Sequence, residues 1–237
     1  MTEDEWRTSA QPNLMLDWLE NNHLASPRKK RLFVFSACRL GWDALRPEVH
    51  RLIEAAEDHV ESPTIEGADA PSQSQIHDAL LSLYRVTPTT LESATLHLIG
   101  YAINSNGRVP AFLAAVEDLG EVAPPKALAA LLVEQFGNPF RKVRRVTSLF
   151  RDRIDTWSSE RRPADLFFVP EWLTWEGGIV TGLARAIDEE RAWDRMPILA
   201  DALEDAGCND PALLEHLRHG GRHARGCWVL DLLLGKE

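Results

Sequence analysis

No apolar run in this sequence approaches the length of a membrane span. The longest stretches, such as Ala127–Val133, fall far short of the roughly 20 residues a spanning helix needs. A secretory leader is missing as well, because Met1-Thr2-Glu3-Asp4-Glu5-Trp6 is acidic where a leader is basic. Cysteine is scarce: Cys38, Cys208 and Cys227 are an odd set of three without framework spacing, which argues against a disulfide scaffold and for reduced thiols. These absences predict a soluble, cytoplasmic protein without a membrane segment. Tyrosine is also rare, two residues against eight Trp. The tryptophans are spread along the chain and read as large core or interhelix fillers; only Trp172 and Trp175 crowd enough to form a platform.

Catalytic signatures are missing too. There is no G-x-S-x-G elbow for a serine hydrolase. Glu176-Gly177-Gly178-Ile179-Val180-Thr181-Gly182 is glycine-rich but is followed by no Gly-Lys-Ser/Thr, so it is not a phosphate-binding loop. The acids Asp188-Glu189-Glu190, Asp201, Glu204 and Asp205 lie near Arg185, Arg191 and Arg195 and read as surface ion pairs at helical spacing rather than a catalytic pair. Cys38 shares its half of the chain with His23 and His50, yet its apolar surroundings predict an inert core thiol. Period-two alternation, the mark of a half-buried strand, is almost absent. Leu166-Phe167-Phe168-Val169 is the one candidate for a short strand, and Pro170 ends it.

What the sequence does contain is dense helix punctuation. Thr2-x-x-Glu5 fits a capping box. Ser26-Pro27 pairs an N-cap with Pro at the first helical position and predicts a helix through Leu45, with Leu32, Phe35, Ala37, Leu40 and Leu45 on its buried face. Pro47 opens another, marked by Val49, Leu52, Ile53, Ala56 and Val60. Residues 62–74 read as a linker. Helices are further predicted around Ile76–Tyr84, from Thr87-Pro88 onward, over Pro110–Leu119 and Pro125–Phe136, after Thr174, over Pro197–Ala206, from Asn209-Asp210-Pro211 to Leu217, and over Cys227–Leu234. The fold class is therefore all-α, an irregular multi-helix bundle or a solenoid-like array of short helices without a fixed repeat period. The chain reads as one helical domain over 1–237. A candidate subdivision gives an N-terminal helical region over 1–140, a basic insertion over 141–165 and a C-terminal helical subdomain over 166–237.

Net charge is −10, which disfavours nucleic acid as a partner. The charge is polarised, however. Residues 141–162 hold eight Lys/Arg against three Asp/Glu, whereas 165–215 carry twelve acids against three Arg. Val143, Val146, Leu149, Phe150 and Ile154 are interleaved with the basic residues, a spacing that predicts an amphipathic cationic helix. Arg141, Arg144, Arg145, Arg151 and Arg153 are its candidate contacts for a protein partner. The alternative is pairing with the acidic third of the same chain.

A second constellation lies near the end, where Cys208, His216, His219, His223 and Cys227 fall within twenty residues. Thiolate sulfur and imidazole nitrogen are the donors Zn²⁺ prefers, and Cys208, His216, His223 and Cys227 could supply a tetrahedral set. No C-x-x-C or H-x-x-x-H pairing supports it, and each residue also suits an ordinary core or a solvated face.

Several segments resemble one family: Gly137-Asn138-Pro139-Phe140-Arg141, Trp172-Leu173-Thr174-Trp175, Met196–Cys208, and above all His223-Ala224-Arg225-Gly226-Cys227-Trp228 through Glu237. Thr2–Trp6 and Arg31-Leu32-Phe33 extend the likeness to the other end. The sequence is similar to an uncharacterised, highly paralogous planctomycete-type bacterial family, and the resemblance implies an origin without a mechanism. It departs from that family at Phe35-Ser36-Ala37-Cys38, where adjacent cysteines are common, at Leu217, where a Cys is common, and in its basic stretch at 142–165. The leading expectation is a non-enzymatic helical interaction or regulatory module with no cofactor. The alternative is a zinc-binding protein, structural or catalytic, using the Cys/His cluster, and an enzyme built on carboxylates stays open.

Overall fold

The computed structural model describes residues 1–61, 71–104, 120, 122–145, 166–219 and 221–236. The described residues are all-α apart from one short strand pair, and they divide into two compact units, Met1–Gln135 and Phe136–Lys236. No described helix is long and apolar enough to cross a membrane. The predicted helix over Pro110–Leu119, most of the linker at 62–74, and Arg151 and Arg153 lie outside the described residues.

Among its described residues the first unit holds seven α-helices: α1 (Glu3–Thr8), α2 (Pro12–Asn21), α3 (Pro27–Cys38), α4 (Pro47–Glu61), α5 (Gln73–Tyr84), α6 (Thr90–Asn104) and α7 (Pro125–Phe136). Their starts follow local side-chain chemistry. The Thr2 hydroxyl accepts from Glu5 N at 3.2 Å while Thr2 N donates to the Glu5 carboxylate at 2.7 Å, and Ser72 with Gln75 repeats this reciprocal cap. A third box opens α6: Thr89 N donates to Glu92 and Glu92 N donates to the Thr89 hydroxyl. Helix α6 therefore begins two residues later than Thr87-Pro88 predicts.

Helix α3 is the axis of this unit and packs against both α4 and α6. Every residue from Leu32 to Cys38 is buried, so the predicted stripe widens to the whole circumference of the helix. The helix ends at Cys38, short of Leu45, and continues as a 3₁₀ turn over Arg39–Ala44. Side chains of this turn are fixed from α4. Arg39 donates two 2.7 Å bonds to the buried carboxylate of Glu57, lies over the Trp42 ring, and Trp42 stacks on His50 at 3.8 Å. Near the start of α3, Lys30 pairs with Glu20; near its end, Ser36 accepts from the Gln135 amide of α7 at 3.0 Å.

The second unit opens with β1 (Val143–Arg145), paired in parallel with β2 (Leu166–Phe168) in the register Val143↔Leu166, Arg144↔Phe167, Arg145↔Phe168. Leu166–Phe168 is the strand its apolar run predicts. The expected cationic helix is corrected at its start, because Val143–Arg145 is extended. Backbone pairing with β2 overrides the helical spacing of its side chains. After 3₁₀ turns at Pro170–Leu173 and Trp175–Gly177 come α8 (Ile179–Glu190), α9 (Met196–Asp205), α10 (Pro211–His219) and α11 (Trp228–Leu234). Their core joins Phe168, Trp172, Val180, Ile187, Leu199, Leu203, Leu213, Leu217, Leu230 and Leu233 in one buried cluster. The acids expected at the surface divide: Asp201 and Glu204 are exposed and pair with Arg218, whereas Asp188 is buried and pairs with Lys236 at 2.5 Å.

Glu92 offers a test of how the first unit is tied together. Its carboxylate is 2% exposed and accepts from Arg46 Nε at 2.6 Å, Arg46 N at 3.2 Å and Thr89 N at 3.1 Å. The Arg46 side-chain hydrogen bond, helped by the two backbone N–H donors and the guanidinium charge, holds it below the usual carboxylate range against the opposing pull of burial. The stabilisation is complete at neutral pH and is lost as pH falls through the depressed pKa. Glu92→Gln should lower stability at pH 7 by about 2–3 kcal/mol. In urea titrations it should also show a shallower loss of stability on acidification than the unsubstituted protein; parallel acid limbs would remove Glu92 from this role.

Candidate metal centre

Helix α10 owes its position to its first residues. Asp210 caps it, accepting from Leu213 N at 3.0 Å, and Pro211 follows at the first helical position. The same carboxylate takes a fork of two bonds from Arg141, at 3.2 and 2.6 Å, with both side chains largely buried. Leu213, Leu214 and Leu217 face the core. This orientation leaves His216 half-buried on the flank of the helix and puts His219 at the exposed end.

The chain then turns through Gly221 and Gly226, both at positive φ, and reaches Cys227, the residue before α11. Cys227 N donates to Ala224 O at 3.1 Å, and its carbonyl accepts from Asp231 N at 2.9 Å. These bonds set the thiol at the start of the helix, wholly buried. His216 Nε2 lies 3.2 Å from Cys227 Sγ. The rings of His216 and His223 meet edge to face with centroids 5.2 Å apart, and Trp228 packs against His216 at 5.3 Å. One donor atom from each of His216, His223 and Cys227 lies within 4.8 Å of the others.

This spacing suits a small thiophilic cation. With Zn–N near 2.0 Å and Zn–S near 2.3 Å, tetrahedral donors sit roughly 3.3–3.5 Å apart. The His216–Cys227 distance is already that short, and the other donor separations are within 4.8 Å. The same pair has the composition of a cysteine–histidine nucleophile, but a wholly buried sulfur gives a substrate no approach.

Of the four residues that donor chemistry selects in the sequence, the structure brings together His216, His223 and Cys227. Cys208 is not a member of the group. It lies beyond the end of α9, where its N–H donates to Leu203 O at 2.8 Å and its side chain is buried. Burial, reinforced by the charges of Asp210 and Glu204, pushes its thiol up to about 11 against a weaker backbone hydrogen bond at Asp210, so it stays protonated at neutral pH. Cys38 is pushed up to about 12, by burial first and then by Glu57. Among the arginines read as partner contacts, Arg141 is engaged by Asp210 and Arg144 is exposed on β1.

Two contributors have no donor chemistry to mark them in sequence. Gly137 has φ +61°, and a Cβ built there would come within 2.8 Å of Cγ and Cδ2 of Trp228. The Gly-Asn-Pro turn, in which Phe140 N donates to the Asn138 side chain at 3.0 Å, therefore seats the indole beside the candidate donors His216 and Cys227. Arg141, the other contributor, acts through Asp210 on the position of α10. Gly137→Ala should cost about 2–4 kcal/mol, combining left-handed backbone strain with overpacking. Gly235, at φ +66° with open space around its Cβ position, is the control. Gly235→Ala should cost only the backbone contribution, about 1–2 kcal/mol, and equal costs in urea unfolding would show that the Trp228 contact carries no energy. Compared with known protein families, with curated proteins and with solved structures, the chain matches none.

Proposed function

We propose that this is a metal-binding helical protein whose second unit holds one Zn²⁺ through His216, His223 and Cys227. The observation that carries the reading is the convergence of two imidazoles and a buried thiol, with donor atoms within 4.8 Å of one another. Nitrogen and sulfur donors of this kind favour Zn²⁺ over Mg²⁺ or Ca²⁺, which take oxygen ligands.

The surroundings support a built site rather than a chance encounter of side chains. Trp228 covers one side of His216 and is itself fitted to Gly137. Asp210 fixes the start of the helix that carries His216, and Arg141 fixes Asp210. Gly137, Arg141, His223, Cys227 and Trp228 fall in segments quoted for the family resemblance, whereas Asp210 and His216 fall outside them.

Elemental analysis of protein purified without chelator should find about one zinc per chain. His216→Ala and Cys227→Ser should each lose it, and both should still unfold cooperatively. Cys208→Ser, which removes a thiol outside the group, should retain the metal. Replacement of zinc by Co²⁺ should give a thiolate-to-cobalt charge-transfer absorption that is absent from Cys227→Ser alone among the two cysteine variants. Zinc retained by Cys227→Ser and lost from Cys208→Ser would falsify this donor set.

A further inference from the structure

We propose that α11 is a latch closed by the metal ion, so that binding and release of the ion seat and free the C-terminal helix; the proposal rests on the metal reading above. All three donors belong to one continuous stretch, from His216 in the last turns of α10 to Cys227 at the threshold of α11. An ion held by them closes a local loop and fixes the first turn of α11 to α10. Loop closure of this kind removes conformational freedom that the open chain would otherwise keep.

Helix α11 depends on tertiary contacts. It has seven residues, well below the roughly 12–15 at which an isolated helix becomes even marginally stable in water. It packs against α8, and its Val229, Leu230 and Leu233 share a buried cluster with Val180, Ala184 and Ile187 of that helix. Its far end is tied by Lys236, whose ammonium donates to Asp188 of α8 at 2.5 Å. The chain leading into α11 bends at Gly221 and Gly226, at φ +81° and +80°, a backbone conformation that glycine adopts without steric penalty.

The helix is therefore held at one end by the Lys236 ion pair and at the other by Trp228 on Gly137 and by the metal donors, with a glycine-hinged turn on the metal side. Loss of the ion removes the tie between Cys227 and α10 and leaves a short helix that depends on its packing, including Trp228 on Gly137, and on Lys236. Opening would uncover the apolar strip Val180–Ala184–Ile187 on α8, at i, i+4 and i+7 along one helical face. The metal would act as a regulatory ligand, and the response would be an exposed apolar surface.

Hydrogen–deuterium exchange on the full chain, zinc-loaded and after chelator treatment, tests this. On metal removal the amides of residues 230–235 should exchange at least about tenfold faster while those of α9 hold their protection, the signature of a local opening. Zinc addition should reverse it. Lys236→Ala, which cuts the opposite tie and leaves the donors in place, should keep its zinc and show faster exchange in α11 than the unsubstituted protein in the metal-free state. If zinc is bound and then removed without a change in α11, the latch is overturned and the metal site stands. Protection lost from α8, α9, α10 and α11 together would also overturn it, showing an ion that holds up the whole unit. Failure to find zinc in the purified protein or to load it by titration would overturn both proposals.

Discussion

The indole of Trp228 lies on the bare backbone of Gly137, and the geometry of the second unit's candidate centre depends on that contact. Any side chain at 137 would enter the space the ring occupies, and the positive φ there resists one as well. With the ring seated, the residue before it, Cys227, is fixed at the start of α11, and the ring edge reaches His216. A close approach of this sort is a matter of shape, so it ties two segments far apart in sequence more narrowly than a flexible ion pair would. It is a packing constraint that places a donor set.

Charge supplies the second level of fixation. Arg141 and Asp210 form a largely buried fork, and Asp210 also satisfies a free N–H of α10, so one carboxylate both ends a salt bridge and begins a helix. Arg39 with Glu57 and Arg46 with Glu92 repeat the pattern in the first unit, each pairing a buried carboxylate with a partly exposed arginine. Such pairs offer little net gain over apolar packing, but each is costly to break from one side, because the partner is left charged in a poorly solvated place. They specify which helices meet.

The three cysteines show how environment separates residues of one type. Cys38 and Cys208 are surrounded by apolar groups and nearby carboxylates, and both influences hold the thiol protonated. Cys227 is equally buried but has an imidazole nitrogen 3.2 Å from its sulfur. Burial alone describes all three, and the neighbouring imidazole distinguishes one.

Much of the fold was legible because helix starts are local events. Thr2 with Glu5, Ser26 with Pro27 and Asp210 with Pro211 act within one turn, so a few adjacent residues announce the helix they cap. The apolar run at Leu166–Phe168 announced its strand in the same way. Tertiary contact decided the rest: that α3 gives way to a 3₁₀ turn fixed by Glu57 and His50 of α4, that Val143–Arg145 is extended against β2, and that Arg141 serves Asp210. The candidate centre divides along the same line. Donor chemistry and proximity in sequence picked out His216, His223 and Cys227, but gave Cys208 equal standing, because spacing along a chain of short helices does not tell which way a side chain turns. The sequence by itself determined the helices and the donor types, through interactions that close within a few residues. Only the tertiary structure decided which donors meet, because their convergence depends on how α10, the glycine turn and Trp228 pack together.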